Sequence, residues 1–557
     1  MCSICGIIDY ENRNSIDISL LGNMGSAMKH RGPDQTNMYI TSYAGLHHNR
    51  LSVIDPEGGI QPMTAVHARR MYTIVYNGEI YNADELRREL EECGAVFKTH
   101  CDTEVVLYSY IILGEKCPER LNGIFSFCVY DEQSERLFLA RDRFGVKPLF
   151  YTVTGSSFLF ASEVKALLRH PGVRRTVDSR GMWQLLYMSP VTINGSGIFK
   201  DICEVKPGFC GFFSRNGLQL HRYWKLEAAE FTDTREQALE KVEYLLCDAI
   251  RRQLVSDVPL CTFLSGGLDS SLISSVAAAE YQNRGMTLST YSFEYEGNKK
   301  NFRSSLFQPQ DDDEYALYLA DYLGTNHRVL TAPNDAVAKC LEDAVIARDF
   351  PGQADIDSSL LYFCRLVKKE HTVAISGECA DEIFGGYPWF YRPEMLYRGF
   401  FPWIHDPFAR IGLFRDELVH AREGYDYIAS VYRRDVAECP LLDSDSDEMR
   451  TSRIATWLSV NYFMVSLLER KDRMSMASGV EVRVPFSDHR ILEYVYNVPW
   501  SLKFEDNTEK ALLRNAMPAW LPDKILHRKK SPYPKTHSPE YAALTHSMLT
   551  ERMNRSH

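Results

Sequence analysis

The chain has no long block of lysine or arginine, and its 63 basic residues are outnumbered by 74 acidic ones, for a formal net charge of −11. That balance disfavours broad electrostatic binding to nucleic acid or to an anionic membrane. Any phosphate must be met by local devices: backbone amides, a helix N-terminus, metal ions. No run approaches 18 apolar residues, and no charged stretch followed by an apolar one opens the chain, so no transmembrane helix or secretory signal is expected. The fourteen cysteines lack regular spacing. They read as small buried apolar residues of a reducing compartment, and a cytoplasmic location is expected. Internal repeats and low-complexity domains are missing too.

What is present is material for large cores. At 557 residues, 45% hydrophobic and 12% aromatic, the chain exceeds the roughly 250–300 residues at which one core stops growing, so two or more domains are expected. Up to residue 210 short strand-like runs dominate: CSICGIID, GLHHNRLSVID, MYTIVYNGEIYN, GIFSFCVYD, RLFLARDRFGVKPLFY and SFLFASEV. One helix stands out, NADELRRELEECG, with Asn82 as N-cap, Glu85 completing a capping box and Gly94 as its stop. From residue 240 longer helical stretches alternate with compact apolar runs, the pattern of a parallel sheet covered on both faces. The expected division is a domain over 2–210, a linker over 211–235, a domain over 236–540 and a tail over 541–557. The polar stretches 296–313 and 438–452 are expected to be loops.

In the second half, Phe263 and Leu264 end an apolar run that feeds Ser265-Gly266-Gly267, and a helix of good formers follows at once. Gly266 and Gly267 can take positive φ and let amides approach an anion, the new helix adds a positive dipole end, and Ser265, Ser270 and Ser271 add hydroxyl donors. Asp269 puts an anion where phosphates would sit, which is unfavourable unless Mg²⁺ lies between. There is no G-x-x-x-x-G-K-S/T string, so this is not the lysine-bearing loop of the common NTPases. Further on, AISGECADEIFGG repeats the pattern: an apolar run ends in Ser376-Gly377, and Glu378, Asp381 and Glu382 follow. Three acids so close repel one another unless a cation or cationic reactant is present.

The string SGGLDSS resembles the pyrophosphate loop of N-type ATP pyrophosphatases, which cleave ATP between its α and β phosphates and make acyl-adenylates. With the second strand end, and with VSDVP (255–259), DRMSMASGVEVRVPF (472–486) and EKALLR (509–514), the half resembles the asparagine synthetases. The resemblance implies Mg²⁺ and pyrophosphate at Asp269 and Asp381, nucleotide contacts at Phe263, Phe293, Ser376 and Gly377, a glutamate for the adenylated intermediate and incoming ammonia at Glu378, and a charge-stabilising lysine at Lys510. The family's usual glycine after that glutamate is Cys379 here.

The opening MCSICGII poses a question about Cys2. A Cys2-x-x-Cys5 metal or redox pair lacks a second pair at zinc-like spacing and a helix to open. If Met1 is removed, Cys2 carries both a thiol and a free α-amine, whose reference pKa of about 7.7–8.0 lets it serve as the base without a histidine. Arg50 can hold a carboxylate, Asp102 an ammonium, Asn77 and the Gly78 amide an oxyanion, and Glu79 a substrate nitrogen. Taken singly, Asn77-Gly78 is also a good hairpin turn and Arg50 an ordinary surface charge. Together with HRGPD (30–34), NRLSVID (49–55), YNGEIYN (76–82), CDTEV (101–105), RDRFGVKPLFY (141–151) and ASEVKAL (161–167), they resemble the class II glutamine amidotransferase domain, an N-terminal-nucleophile hydrolase fold. The resemblance implies glutamine contacts at Arg50, Leu51, Ser52, Val53, Ile54, Asn77, Gly78, Glu79 and Asp102.

The expected fold is therefore an α+β N-terminal-nucleophile domain of stacked antiparallel sheets with helices, followed by an α/β ATP pyrophosphatase domain with a parallel sheet. Its implied substrates are glutamine, aspartate and ATP, with Mg²⁺, an internal passage for ammonia and a homodimer. The same two domains could instead amidate another carboxylate in surface-sugar or natural-product biosynthesis. The β-lactam-forming synthetases share the architecture but typically lack the cysteine nucleophile. A non-catalytic glutamine sensor would have lost the nucleophile or broken the loop, and neither is seen.

Overall fold

The structure, a computed structural model, describes residues 2–301, 313–530, 533 and 536–555. By packing it divides into two units: Met1–Glu230 with Tyr387–Asp472 and Asp488–Asn497, and Phe231–Gly386 with Arg473–Ser487 and Val498–His557. The segment 387–472, continuous in sequence with the second half, thus packs with the first. No helix among the described residues is long and apolar enough to cross a membrane.

In the first unit the alternation of side chains builds four layers. Its strands are β1 (Ser3–Asp9), β2 (Gln35–Ile40), β3 (Ala44–Arg50), β4 (Met63–His67), β5 (Arg70–Ile80), β6 (Gly123–Asp131), β7 (Arg136–Arg141), β8 (Phe150–Thr154), β9 (Ser157–Ala161), β10 (Cys203–Glu204), β11 (Phe209–Ser214) and β12 (Gly217–Arg222). They form two antiparallel sheets in the orders β10-β8-β9-β1-β3-β2 and β12-β11-β7-β6-β5-β4. Ile4 and Ile8 of β1, Phe158 and Phe160 of β9, Val75 of β5 and Leu137 and Leu139 of β7 share one core between the sheets. Their neighbours face the other way: Cys5 and Ile7 meet Leu21 and Met24 of the helix Ile18–Ser26, and Ile74, Phe127 and Phe138 meet the helices Ala83–Glu92 and Asp102–Leu113. Covered on both faces, these strands can be apolar at every position, which is why they read as unbroken runs.

Several expectations are corrected. The segment 211–235 is not simply a linker: SRNG turns a hairpin, β11–β12, that extends the second sheet beyond β7. Asn82 starts its helix without a side-chain cap bond, its amide instead bridging to Arg120 O and Asn122 N, so the capping box does not form there. The box is at Thr234, where hydroxyl and Gln237 exchange bonds. Within 438–452, Ser446 accepts from Met449 N (3.2 Å) and starts the helix Asp447–Leu458, with Asp447 and Glu448 on its favourable end. The tail over 541–557 is largely the helix Pro539–Arg555, whose Tyr541 joins Tyr295, Ala332 and Val337 in a core. Of the loop over 296–313, Asn298–Asn301 is helical and 302–312 lie outside the described residues.

The second unit carries β13 (Leu260–Phe263), β14 (Ser289–Tyr295), β15 (Asn326–Ala332), β16 (Val373–Ile375) and β17 (Glu481–Arg483) in one parallel sheet ordered β15-β14-β13-β16-β17. The order runs outward from β13 on one side and from β16 on the other. Connections leaving β13 and β16 therefore diverge, opening a crevice at their C-terminal ends, the topological switch point at which doubly wound sheets bind ligands.

Candidate active sites

In the first unit β1 and β5 bring residues 2 and 77 together. The Cys2 N–H donates to Asn77 Oδ1 at 3.0 Å. Asn77 and Gly78 are not a turn: they lie within β5, paired with Ser126 and Phe125 of β6. One pocket is lined by Cys2, Arg50, Leu51, Val53, Ile54, Gly78, Glu79 and Asp102, together with Gly59, Gln61, Tyr76, Cys101 and Thr103. Ser52 is not on that lining; its amide donates to Asp34 (2.8 Å). Asp102 opens its helix and accepts from the Tyr76 hydroxyl (2.7 Å) and the Ile80 amide (3.0 Å). Both terminal nitrogens of Arg50 donate to carbonyls of the following loop: Pro56 (2.6 Å), Asp55 (2.6 Å) and Ile54 (3.2 Å). The guanidinium thus shapes the pocket wall, and Gly59 lies against it where a side chain would collide with Arg50 and Cys101. No histidine lines the pocket, and burial pushes the nearby His48 down to about 3, neutral at physiological pH. Cys5 is fully buried in the first strand, in one core with Ile7, Leu21 and Met24; none of the fourteen cysteines is in a disulfide.

Beside the Cys2 backbone lies an ionic cluster that reading by motif did not isolate. Arg31, fully buried, donates to the Cys2 carbonyl (3.1 Å), to Glu163 (3.0 Å) and to both oxygens of Asp472 (2.8 and 3.2 Å). Lys147 completes Asp472 at 2.9 Å. Burial alone would raise the Asp472 carboxyl, but Arg31 and Lys147 more than offset it and hold it down to about 2. Arg31, Lys147, Glu163 and Asp472 each lie in a string quoted above, but among other charges, so no local pattern singled them out; a charge buried on folding needs a partner.

In the second unit the loops after β13 and β16 meet at the switch point. Leu264 N donates to Tyr291 O (2.8 Å), continuing β13 into the loop. Gly266 has φ +70, and a Cβ there would stand 2.6 Å from Ala316 N, so glycine is required on both counts. Gly267 has φ −75 and caps the helix Leu268–Asn283. The Ser265 and Ser270 hydroxyls bond each other (2.9 Å), whereas Ser271 is fully buried on the helix. Phe263 and Phe293 both pack on Phe363, with centroids 4.9 and 5.0 Å away. Across the crevice a Cβ on Gly377 would stand 2.9 Å from Ser270 N, so the two loops abut. The Ser376 hydroxyl donates to Glu378.

Lys510 ties these loops together. Its Nζ lies 2.8 Å from both oxygens of Asp269 and 2.9 Å from Asp381. Burial alone would lower its ammonium, but the two carboxylates push it above an ordinary lysine. Lys530, in the run HRKK and unmarked by any motif, is the second partner of Asp381. With two ammonium partners outweighing burial, Asp381 is held below the usual carboxylate range, while Asp269, with one, is pushed up by burial.

Cys379 sits at φ +81 and is 1% exposed. The left-handed region explains the glycine usual there: a side chain at that φ costs about 1–2 kcal/mol.

Two outcomes follow from this geometry. Asp472→Asn removes the shared counter-charge of Arg31 and Lys147; it should destabilise the fold by roughly 3 kcal/mol in denaturant titration and speed alkylation of Cys2. Cys379→Gly should be tolerated, whereas Cys379→Val, β-branched at positive φ, should lower stability by about 2 kcal/mol or more in the same measurement.

Comparison with known proteins agrees with the geometry. A glutamine amidotransferase domain model matches residues 1–224, and an asparagine synthase model matches 241–557. Asparagine synthetase (glutamine-hydrolyzing) 3 of Bacillus subtilis (strain 168) is 47% identical over 97% of this chain and 88% of its own. Asparagine synthetase (glutamine-hydrolyzing) 1 of the same organism is 30% identical over 95% and 87%. An amidase of Gibberella zeae is 27% identical over 90% and 83%. The chain, matched along nearly its whole length, belongs to the asparagine synthase family and carries a glutamine amidotransferase domain ahead of the synthase domain.

Proposed function

We propose that the two sites divide one reaction, the first unit making ammonia and the second an activated aspartate, as befits a glutamine-hydrolysing asparagine synthetase. The observation that carries the reading of the first site is the pocket on which Cys2, a guanidinium and a carboxylate converge. Met1 lies outside the described residues; with it removed, the Cys2 amine would keep its bond to Asn77 Oδ1 and take the thiol proton. The thiolate attacks the glutamine side-chain amide, with the Arg50 charge and Asp102 suited to its α-carboxylate and α-ammonium. Asn77 Nδ2 is a buried donor with no hydrogen-bond partner among the described residues. Such a donor costs roughly 1–3 kcal/mol, and an oxyanion beside Cys2, shared with the Gly78 amide, would satisfy it. Ammonia leaves with the amine's proton, and water releases glutamate from the thioester.

In the second unit the Ser265–Ser270 loop and the start of the helix Leu268–Asn283 suit a polyphosphate at the switch point. The aspartate β-carboxylate attacks the α-phosphate of ATP, pyrophosphate leaves, and ammonia displaces AMP from the acyl carbon, with Glu378 the carboxylate suited to take a proton. Lys510, bridging Asp269 and Asp381, marks a spot where a cation meets both carboxylates, so the donor set fits Mg²⁺. Among the described residues no group of three or more such side chains is placed to hold a metal, so phosphate oxygens would complete the coordination. When bound, the ion would neutralise phosphate charge.

With aspartate, glutamine and Mg²⁺-ATP the chain should yield asparagine, AMP and pyrophosphate; ADP and phosphate, or indifference to aspartate, would overturn the reading. Cys2→Ala, or retention of Met1, should cut glutamine-dependent synthesis by roughly 10³-fold while ammonia-dependent synthesis persists. Asp269→Ala and Glu378→Ala should abolish AMP release yet leave glutamine hydrolysis unchanged.

A further inference from the structure

Two buried polar groups near Cys2 lack a partner in the fold. Asn77 of β5 stands opposite Ser126 of β6, as Val75 stands opposite Cys128 two positions along. Opposed residues share one face of an antiparallel pair, with Cβ atoms about 4.5–5.5 Å apart. Val75 and Cys128 belong to the core between the two sheets, so Asn77 and Ser126 face that space as well. Both residues are fully buried, and among the described residues neither Asn77 Nδ2 nor Ser126 Oγ has a hydrogen-bond partner. Arg141, opposite Ser126 on its other flank, is already engaged: its Nε and terminal nitrogens donate to the carbonyls of Lys147 (2.8 Å), Val205 (2.7 Å) and Gly145 (2.9 Å).

Such groups are costly unless something meets them, and two side by side suit a small neutral molecule that both donates and accepts. The chemistry calls for one. While the thioester of the proposed reaction stands, the glutamyl group fills the pocket lined by Tyr76 and Gly78, so the water that hydrolyses it must come by another side. Strand alternation sends Asn77 and Ser126 to the other face, and neither lines that pocket. The bond from the Cys2 N–H to Asn77 Oδ1 (3.0 Å) puts the amine, the base that takes the water's proton, on this same side. Asn77 Nδ2 is claimed by the oxyanion in each tetrahedral intermediate, which leaves Ser126 Oγ to aim the water.

We propose that Ser126 is a positioning residue for the second half of glutamine hydrolysis, its hydroxyl holding the water that attacks the thioester on Cys2. The inference rests on reading Cys2, with its amine free, as the nucleophile. In this step the water oxygen bonds to the thioester carbonyl carbon and the carbon–sulfur bond breaks. One water proton passes through the Cys2 amine to the departing sulfur and restores the thiol, and the glutamate side-chain carboxyl gives its proton to solvent. The role has a consequence that a merely structural hydroxyl lacks: loss of Ser126 Oγ slows breakdown of the thioester and spares its formation.

The test uses the full chain with Met1 removed, mixed with glutamine, quenched in acid at intervals and weighed by mass spectrometry, which gives the formation and decay rates of the Cys2 thioester separately. In Ser126→Ala decay should slow roughly tenfold, the size of one lost hydrogen bond, with formation within about twofold of wild type. Because the deleted hydroxyl bonds no protein group, this variant should melt no lower than wild type. Ser126→Thr, which keeps a hydroxyl, should restore decay. Decay unchanged in Ser126→Ala, formation and decay slowed together, or decay as slow in Ser126→Thr as in Ser126→Ala would overturn the proposal. Failure of glutamine to label Cys2 in either the wild-type chain or Ser126→Ala would instead overturn the nucleophile reading on which it rests.

Discussion

A single buried guanidinium holds the start of the chain in place. Arg31 has its donors on a backbone carbonyl and two carboxylates, and the carbonyl is that of Cys2. A chain terminus is ordinarily the least ordered part of a domain, because nothing ties it down. Here β1 is clamped between β3 and β9 in the first sheet, and the residue before it is fixed through its N–H by Asn77 and through its C=O by Arg31. That bracing orients a short side chain toward a pocket without any helix dipole or histidine. It depends in turn on Asp472, more than 400 residues away in sequence, so the ordering of the first residues is a property of the folded unit and not of the opening strand.

The second unit solves the opposite problem, the gathering of like charges. Asp269 and Asp381 stand in the first turns of the helices that follow two loops, and those loops abut because β13 and β16 are adjacent and parallel. Their repulsion is answered by ammonium groups from the segments near 510 and 530. Backbone geometry there is as specialised as the charge: Gly266 and Cys379 both sit at positive φ, one with a residue built for it and one without.

Much was legible in the chain. SGGLDSS and SGECADE named the two loops, because a strand, a glycine-bearing turn and a helix start are local and need only a few residues. The residues flanking Cys2 in the pocket were legible as types in order along the sequence. Less visible were the groups whose meaning is set by a distant partner: Gln61, Tyr76 and Thr103 on the pocket wall, the Arg31 cluster, and Lys530 in a run that reads as a solvated charge. The Asn82 cap was misread because Arg120 and Asn122, just ahead of β6 and remote in sequence, take up the same amide.

By itself the sequence determined many of the buried strands, the two anion-suited loops and the chemical type of each candidate residue, since these follow from short-range periodicity, turn chemistry and side-chain identity. Only the tertiary structure decided that 387–472 packs with the first unit, that Ser271 is buried while Ser265 and Ser270 pair, and that Arg50 grips its own loop. Those outcomes depend on sheet order and on which charges are left to neutralise one another once water is excluded, and neither quantity exists until the chain has folded.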